Sequence, residues 1–377
     1  MTKPEEPNRV EQGKMGEVFI LGAGFSKAVS SEMPLMRELT DEIFTHFKQR
    51  GDISQEVRSM LEEDFEKALT YLANENPWLR ESENLRNRAL YLELTHFIRA
   101  IIHKKSSGTD VWGINQPPLW LEALITHWHN NQSTVITLNY DTLIERVASG
   151  TYWRRRQKPI PTGQIYPIDL TPASLRSAGI LAQEPIDTFR LFKLHGSINW
   201  FYSGQSQFYG ENLFFVPCQL GVDRAFDALA GRDPESEDWQ HIGDKTALII
   251  PPILDKQIFF RHESLRSMWL QAAQAIRKAT KLVSMGYSLP SGDLTMAQFL
   301  RSSAPKQLIP FQLVDASPKV DHFKTVLGKD SYAFKQEGDD VDCIPHFVVS
   351  HCINNQDDQA HVIRMTTWKK QNEPQNS

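Results

Sequence analysis

Short apolar runs that end directly in a glycine, an asparagine, a histidine or an aspartate recur along this chain, with helical patterns between them. Glu17–Gly22 (EVFILG) runs into Ala23 and Gly24, and Ser133–Leu138 (STVITL) runs into Asn139. Arg190–Leu194 ends at His195, 281–285 (KLVSM) ends at Gly286, and 310–315 (PFQLVD) closes on Asp315. Runs of this length, rich in β-branched residues and bounded by turn formers, read as buried strands. Strands alternating with helices restrict the chain to an α/β fold with a parallel sheet. In such sheets ligands sit beyond the carboxyl ends of the strands, which is where these polar residues fall.

The intervening segments set the helices. Residues 34–50 read as one, with Pro34 near its first turn. Residues 54–76 keep a helical period through Val57, Met60, Leu61, Phe65, Ala68, Leu69 and Leu72. A second helix over about 83–104 carries Leu90, Leu94, Phe97, Ile98, Ile101 and Ile102, and a third, Leu119–His129, follows Pro117 and Pro118. These form a helical insertion at about 52–130, packed on the sheet. Helices are also expected at 142–148, 263–279, 294–303 and 319–327, another strand at Ala247–Ile250, and a late strand at 342–352. The expected division is a flexible arm at 1–15, one domain at 16–335, and a C-terminal extension with a polar tail at 336–377.

With 40% hydrophobic residues over 377 positions, the chain can bury a sizeable core. Its 41 basic and 46 acidic side chains leave a net charge of −5, so its global field does not favour nucleic acid. Cys218, Cys343 and Cys352 form no Cys-x-x-Cys pair, which fits reduced thiols. No apolar leader and no run of roughly 18 apolar residues is present, so the expectation is a cytoplasmic protein without a membrane span.

Each polar motif has a chemical and a structural reading. Gly22-Ala23-Gly24 with Ser26 suits close approach of backbone to a pyrophosphate, or an ordinary strand-to-helix turn. Asn139 and Asp141 suit a polar ligand, or helix capping. His195 suits a general base, or a structural histidine. Gly286 and Ser288 suit a second ligand loop, with Asp293 as a helix cap. Asp315 suits the two hydroxyls of a ribose, or a turn before Ala316-Ser317-Pro318.

Taken in order, GAGFS, MPLMR, TLNYD, KLHG, GYSL and a strand-end aspartate resemble the NAD-binding core of sirtuins. More closely, the set resembles bacterial sirtuin-like proteins of anti-phage defence, over about residues 17–330. The resemblance implies a Rossmann-like parallel sheet with helices on both faces and NAD as substrate. It implies that Gly22, Ala23, Gly24 and Ser26 meet the pyrophosphate, with Gly286 and Ser288 at a phosphate. Met33, Pro34, Met36 and Arg37 would form a mobile loop over the nicotinamide half. Asn139 would hold the ribose or the attacking water, Asp141 the nicotinamide carboxamide, and Asp315 the adenosine ribose. His195 would be the base. The implied activity is hydrolysis of NAD to nicotinamide and ADP-ribose, as a defence effector that depletes NAD. The chain would work as a homo-oligomer or in a complex activated by a partner such as a HerA-type hexameric ATPase.

The departures separate this chain from the deacylases. Leu138 stands in place of the sirtuin glutamine, and Met36 in place of the phenylalanine that shields the sugar. Between His195 and Gly286 only Cys218 occurs, so the structural zinc module and its four thiolates are not expected. NAD-dependent deacylation, or NAD sensing without catalysis, are the alternatives. Elsewhere, Arg154-Arg155-Arg156 reads as a solvated loop, and His127 with His129, or Asp64 with Glu66, point apart at i, i+2 on helices.

Overall fold

The computed structural model describes residues 16–48, 53–107, 117–150, 159–172, 186–202, 213–217, 245–253, 262–328, 331–338, 340–353, 359–360 and 362. Its strands, in chain order, are β1 (Glu17–Leu21), β2 (Thr134–Thr137), β3 (Thr171–Pro172), β4 (Arg190–Lys193), β5 (Gly196–Tyr202), β6 (Phe214–Phe215), β7 (Thr246–Ile249), β8 (Lys281–Met285), β9 (Ile309–Val314) and β10 (Tyr332–Glu337). Its helices are α1 (Ala23–Val29), α2 (Met36–Phe47), α3 (Gln55–Glu63), α4 (Phe65–Ala73), α5 (Glu81–Ser107), α6 (Leu119–Asn131), α7 (Leu143–Ser149), α8 (Thr162–Ile165), α9 (Glu263–Lys278), α10 (Leu294–Ser302), α11 (Val320–Leu327) and α12 (Cys343–Cys352).

Six strands form a parallel sheet in the order β10-β9-β8-β1-β2-β4. Counting only these strands along the chain, the order is 3-2-1-4-5-6 read from β4, the doubly wound Rossmann arrangement. Strand order, not strand direction, reverses between β1 and β8, the switch point where such sheets place a ligand crevice beyond the carboxyl ends. Apart from the edge strand β10, the strands are largely apolar runs because helices flank the sheet and bury both strand surfaces. A smaller sheet, β3-β6-β5-β7, lies after β4, and the strand expected at Ala247–Ile250 joins it as β7.

The helical segments between β1 and β2 share one apolar core with the sheet, from Phe19 and Leu21 through Leu61, Phe65, Leu69, Leu94 and Ile98. Arg99 of α5 ties that region to β5: its Nε donates to the Ile198 oxygen at 3.2 Å and its guanidinium lies 5.3 Å from the Phe201 ring centre. Burial lowers its pKa to about 10, still protonated at neutral pH.

Two sequence expectations are corrected. The helix read over 54–76 is two helices, broken at Asp64, whose φ of −153° ends α3 while its side chain accepts from Lys67 N to begin α4. Asp64 is therefore a cap, not half of a carboxylate pair on a helix. The late strand read over 342–352 is the helix α12. Its β-branched residues suggested a strand, but Cys343, Ile344, Phe347 and Val348 are buried at three- and four-residue spacing, and they pack toward α6 and α1. The strand β10, hydrogen-bonded to β9, was not anticipated. Arg154–Arg156 and Cys218 lie outside the described residues. Among the described residues no helix is long and apolar enough to cross a membrane.

At the opposite end of the sheet from the crevice, Glu17 holds three elements together. Its carboxylate meets His127 of α6 at 2.8 Å and Lys281 of β8 at 3.2 Å. The hydrogen bond with His127 and the Lys281 charge outweigh burial and hold the Glu17 carboxyl down to about 2, against an ordinary 4.5. A depressed carboxylate stabilises the fold above its unfolded pKa and loses that contribution as pH falls through the folded one. Glu17→Gln is therefore expected to lower stability by about 1 kcal/mol at pH 7, given partial solvent screening. The difference from the native chain should shrink from pH 4.5 downward and vanish near pH 2 in urea unfolding.

Candidate functional site

Register brings the sequence motifs onto one edge. Leu21 pairs with Thr137 and Met285, Thr137 with Lys193, and Met285 with Val314. The last residues of five strands therefore lie in one row, and the polar residues that follow within one to five positions belong to the loops leaving it. From β9 to β4 these are Asp315, Gly286 with Ser288, Gly22 to Ser26, Asn139 with Asp141, and His195. Four strand spacings of about 4.8 Å make this row roughly 19 Å long.

At the crevice two glycine loops interlock. Gly22 N donates to Met285 O at 3.1 Å, Gly24 N to Gly286 O at 2.9 Å, and Gly286 N to Val314 O at 2.9 Å. Gly286 has φ 60°, and a side-chain carbon there would lie 2.1 Å from Phe25 N. The amides of Gly22 and Gly24 are thus committed to the neighbouring loop. These glycines bring backbone against backbone, with no room for a side chain between the two loops. Beyond it, Leu289 takes a left-handed φ of 49°, held by its buried side chain and by His322 Nε2 on its carbonyl at 2.7 Å. Asp293 caps α10 as expected, accepting from Met296 N, and also accepts from the Tyr287 hydroxyl at 3.0 Å. Burial foremost pushes the Tyr287 phenol well above its ordinary pKa, so it stays a donor. Ser288 and Asp315 line one small depression with Ser284, Ser317, Lys319 and Phe323. Asp315 Oδ1 accepts from Ser317 N at 2.9 Å, the turn geometry that its sequence also allowed.

Asn139, Ser26 and Asp141 form a directed hydrogen-bond chain. Asn139 Nδ2 donates to Gly22 O and to Ser26 Oγ, both at 2.8 Å. Ser26 Oγ donates to Asp141 Oδ2 at 2.6 Å, and Asp141 Oδ1 accepts from Leu143 N at the start of α7. This is a turn bond leading into α7, whose N-cap is Thr142, so turn and site geometry coexist in Asp141. The network fixes the amide: both nitrogen hydrogens are used, and Oδ1 remains as an acceptor. The hydroxyl of Ser26, expected at a pyrophosphate, is engaged with these two residues.

His195 lies in the turn between β4 and β5 and is 8% exposed. Gly196, at φ 78°, lets the chain reverse; a side-chain carbon there would meet Leu248 O at 2.1 Å. The His195 carbonyl accepts from Ile250 N at 2.8 Å, and Ile250 O accepts from the Tyr140 hydroxyl at 2.7 Å, so the asparagine loop and the histidine turn are joined through the segment after β7. Burial pushes the Tyr140 phenol well up and keeps it a donor.

Arg37 is not drawn into this cluster by any contact. It is exposed on the first turn of α2, next to Met36, while Met33 and Pro34 lie in the connection before that helix. Sequence reasoning also passed over Lys193 and Glu145, each 1% exposed and 2.8 Å apart behind the Asn139–Asp141 loop. A lysine inside the apolar run Leu191–Leu194 was the available signal. Among the described residues no three His, Cys, Asp or Glu side chains converge as metal ligands.

No protein-family model and no curated protein matches this chain. It is similar to a solved sirtuin structure that concerns the structural basis of sirtuin substrate affinity, at 13% identity over 89% of this chain and 93% of that one, with a TM-score of 0.39. It is also similar to Sir2 in complex with the inhibitor EX-527, 2'-O-acetyl-ADP-ribose and deacetylated p53 peptide, at 13% identity over 88% and 90%, with a TM-score of 0.36. Fold and site stand on the strand order and register given above.

Proposed function

We propose that this chain binds NAD along the carboxyl edge of its parallel sheet and hydrolyses the bond between nicotinamide and ribose. The orientation of Asn139 carries this reading. With both amide hydrogens taken by Gly22 O and Ser26 Oγ, its free Oδ1 accepts a hydrogen bond and so orients a water or a ribose hydroxyl. The strand-end loops of Gly22, Ala23 and Gly24 and of Gly286 and Ser288 suit a pyrophosphate laid across the switch point, and Asp315 suits the adenosine ribose. Asp141 would receive the nicotinamide carboxamide.

In the reaction, the bond from ribose C1 to nicotinamide breaks and its electron pair leaves with the ring nitrogen. Positive charge develops on the ribose carbon. The water held by Asn139 adds to that carbon, and its proton passes to His195 directly or through a ribose hydroxyl. Positioning and general-base catalysis lower the barrier. Depletion of NAD fits a defence effector that stops phage growth, working as a homo-oligomer or activated in a complex with a HerA-type ATPase. Light scattering of the active species reads that assembly.

The test is nicotinamide release from NAD at high protein concentration, followed by chromatography. Release is expected from the native chain and from neither His195→Ala nor Asn139→Ala. NAD bound by the native chain with no release over long incubation would overturn the reading in favour of a sensor. Release that depends on an added acyl-lysine peptide would move it to deacylation.

A further inference from the structure

Lys193 and Glu145 form a buried ion pair that the chemistry above does not use. Lys193 Nζ donates to Glu145 Oε1 at 2.8 Å, to Tyr140 O at 3.5 Å and, more closely, to Asp141 O. The Tyr166 hydroxyl also donates to Glu145 Oε1, at 3.0 Å. On the other side of the histidine, Ser197 Oγ donates to Tyr140 O at 3.3 Å, and Ile198 N donates to the same carbonyl at 3.0 Å. Residues on both sides of His195 therefore hold the loop that carries Asn139 and Asp141.

Stability does not account for the pair. Taking two charges out of water is costly, and well-packed apolar residues often serve a buried site equally well. What an ammonium does there, and an apolar side chain does not, is bind two consecutive main-chain carbonyls. The ladder of the parallel sheet runs out at Leu138, whose N donates to Leu21 O. Beyond that point the Asp141 carbonyl turns to Lys193 instead of a strand, and the Tyr140 carbonyl is shared between Ile198 N of β5 and Lys193. The same lysine sits two residues before His195 on β4.

We propose that Lys193 and Glu145 are positioning residues. The pair fixes the Asn139–Asp141 loop against the His195 turn, and so sets the separation between the group that orients the water and the base that takes its proton. This inference rests on the NAD-hydrolysis reading. Both side chains are buried, so they act through the loop they hold rather than at the ligand surface.

The test pairs Lys193→Met with Glu145→Met, which removes both charges at similar volume, and leaves thermal midpoint and ADP-ribose affinity as controls. The double variant is expected to stay folded and to bind ADP-ribose within about threefold of the native chain. Its kcat for nicotinamide release should fall by roughly 30- to 100-fold with KM within about threefold, the scale of a loop displaced by an ångström. Lys193→Arg, which keeps a cationic donor, should recover part of the loss. Hydrogen–deuterium exchange at 139–143 should quicken by about tenfold or more as the loop loosens. Should the double variant fail to fold, Tyr166→Phe weakens the same network more mildly, with an expected loss of about threefold in kcat and faster exchange at 139–143. Native kcat and native exchange in a folded variant would overturn the proposal. If the native chain itself releases no nicotinamide, the function reading falls, and the exchange measurement alone still decides whether the pair holds the loop.

Discussion

Asn139→Asp is expected to slow nicotinamide release by about 100- to 1,000-fold, roughly 3–4 kcal/mol of barrier, in a chain that still folds. The two side chains have nearly the same shape, so the effect is electronic. The native amide donates to Gly22 O and Ser26 Oγ, and Ser26 passes its own hydrogen to Asp141. The introduced carboxylate has no hydrogen to give. It faces the Gly22 carbonyl, competes with Asp141 for the single hydrogen of Ser26, and adds a second negative charge beside the first. Two carboxylates that share one site cannot both ionise freely, so one of their pKa values rises. Below that raised value the introduced group is protonated and regains a donor. The rate of the variant, taken as a ratio to the native rate, should therefore improve as pH falls from 8 to 5. A ratio of one throughout would show that the amide does not orient the reacting group.

Gly286→Ala is expected to cost about 3 kcal/mol or more of stability and to abolish ADP-ribose binding. Two penalties combine there. The residue has φ 60°, and its new carbon would stand 2.1 Å from Phe25 N and 2.4 Å from Gly24 C. Both obstacles are main chain, so no side chain can swing aside; the two loops must separate, and the crevice between β1 and β8 deforms. Gly328→Ala separates the two penalties. It has φ 83° but nothing within 4 Å of the added carbon, so it pays only the conformational cost, about 1–2 kcal/mol, and nucleotide binding should persist. Urea unfolding and calorimetric titration with ADP-ribose check both variants. Equal effects at the two positions would mean that loop interlocking does not shape the crevice.

The five strands that end in polar residues were legible because a buried parallel strand is a short apolar run, whatever lies around it. Their carboxyl ends were legible for the same reason, which is why Gly22, Asn139, His195, Gly286 and Asp315 could be singled out before any geometry. Local patterning failed where a tertiary partner set the outcome. Asp64 breaks a helix whose apolar period continues unbroken through it, because its side chain caps the next helix more favourably than it continues the first. The segment Cys343–Cys352 carries valines and isoleucine, but the surfaces of α6 and α1 accept a helix there.

The sequence alone determined that this chain builds a parallel α/β sheet and that its polar groups gather beyond the strand ends, since both follow from hydrophobic pattern and chain direction. Only the tertiary structure decided which of those groups touch. Hydrogen-bond partners far apart in sequence, such as Ser26 with Asp141 or Lys193 with Glu145, are set by strand register and by the depth of each side chain. No local pattern encodes either quantity, because each depends on how the whole sheet packs.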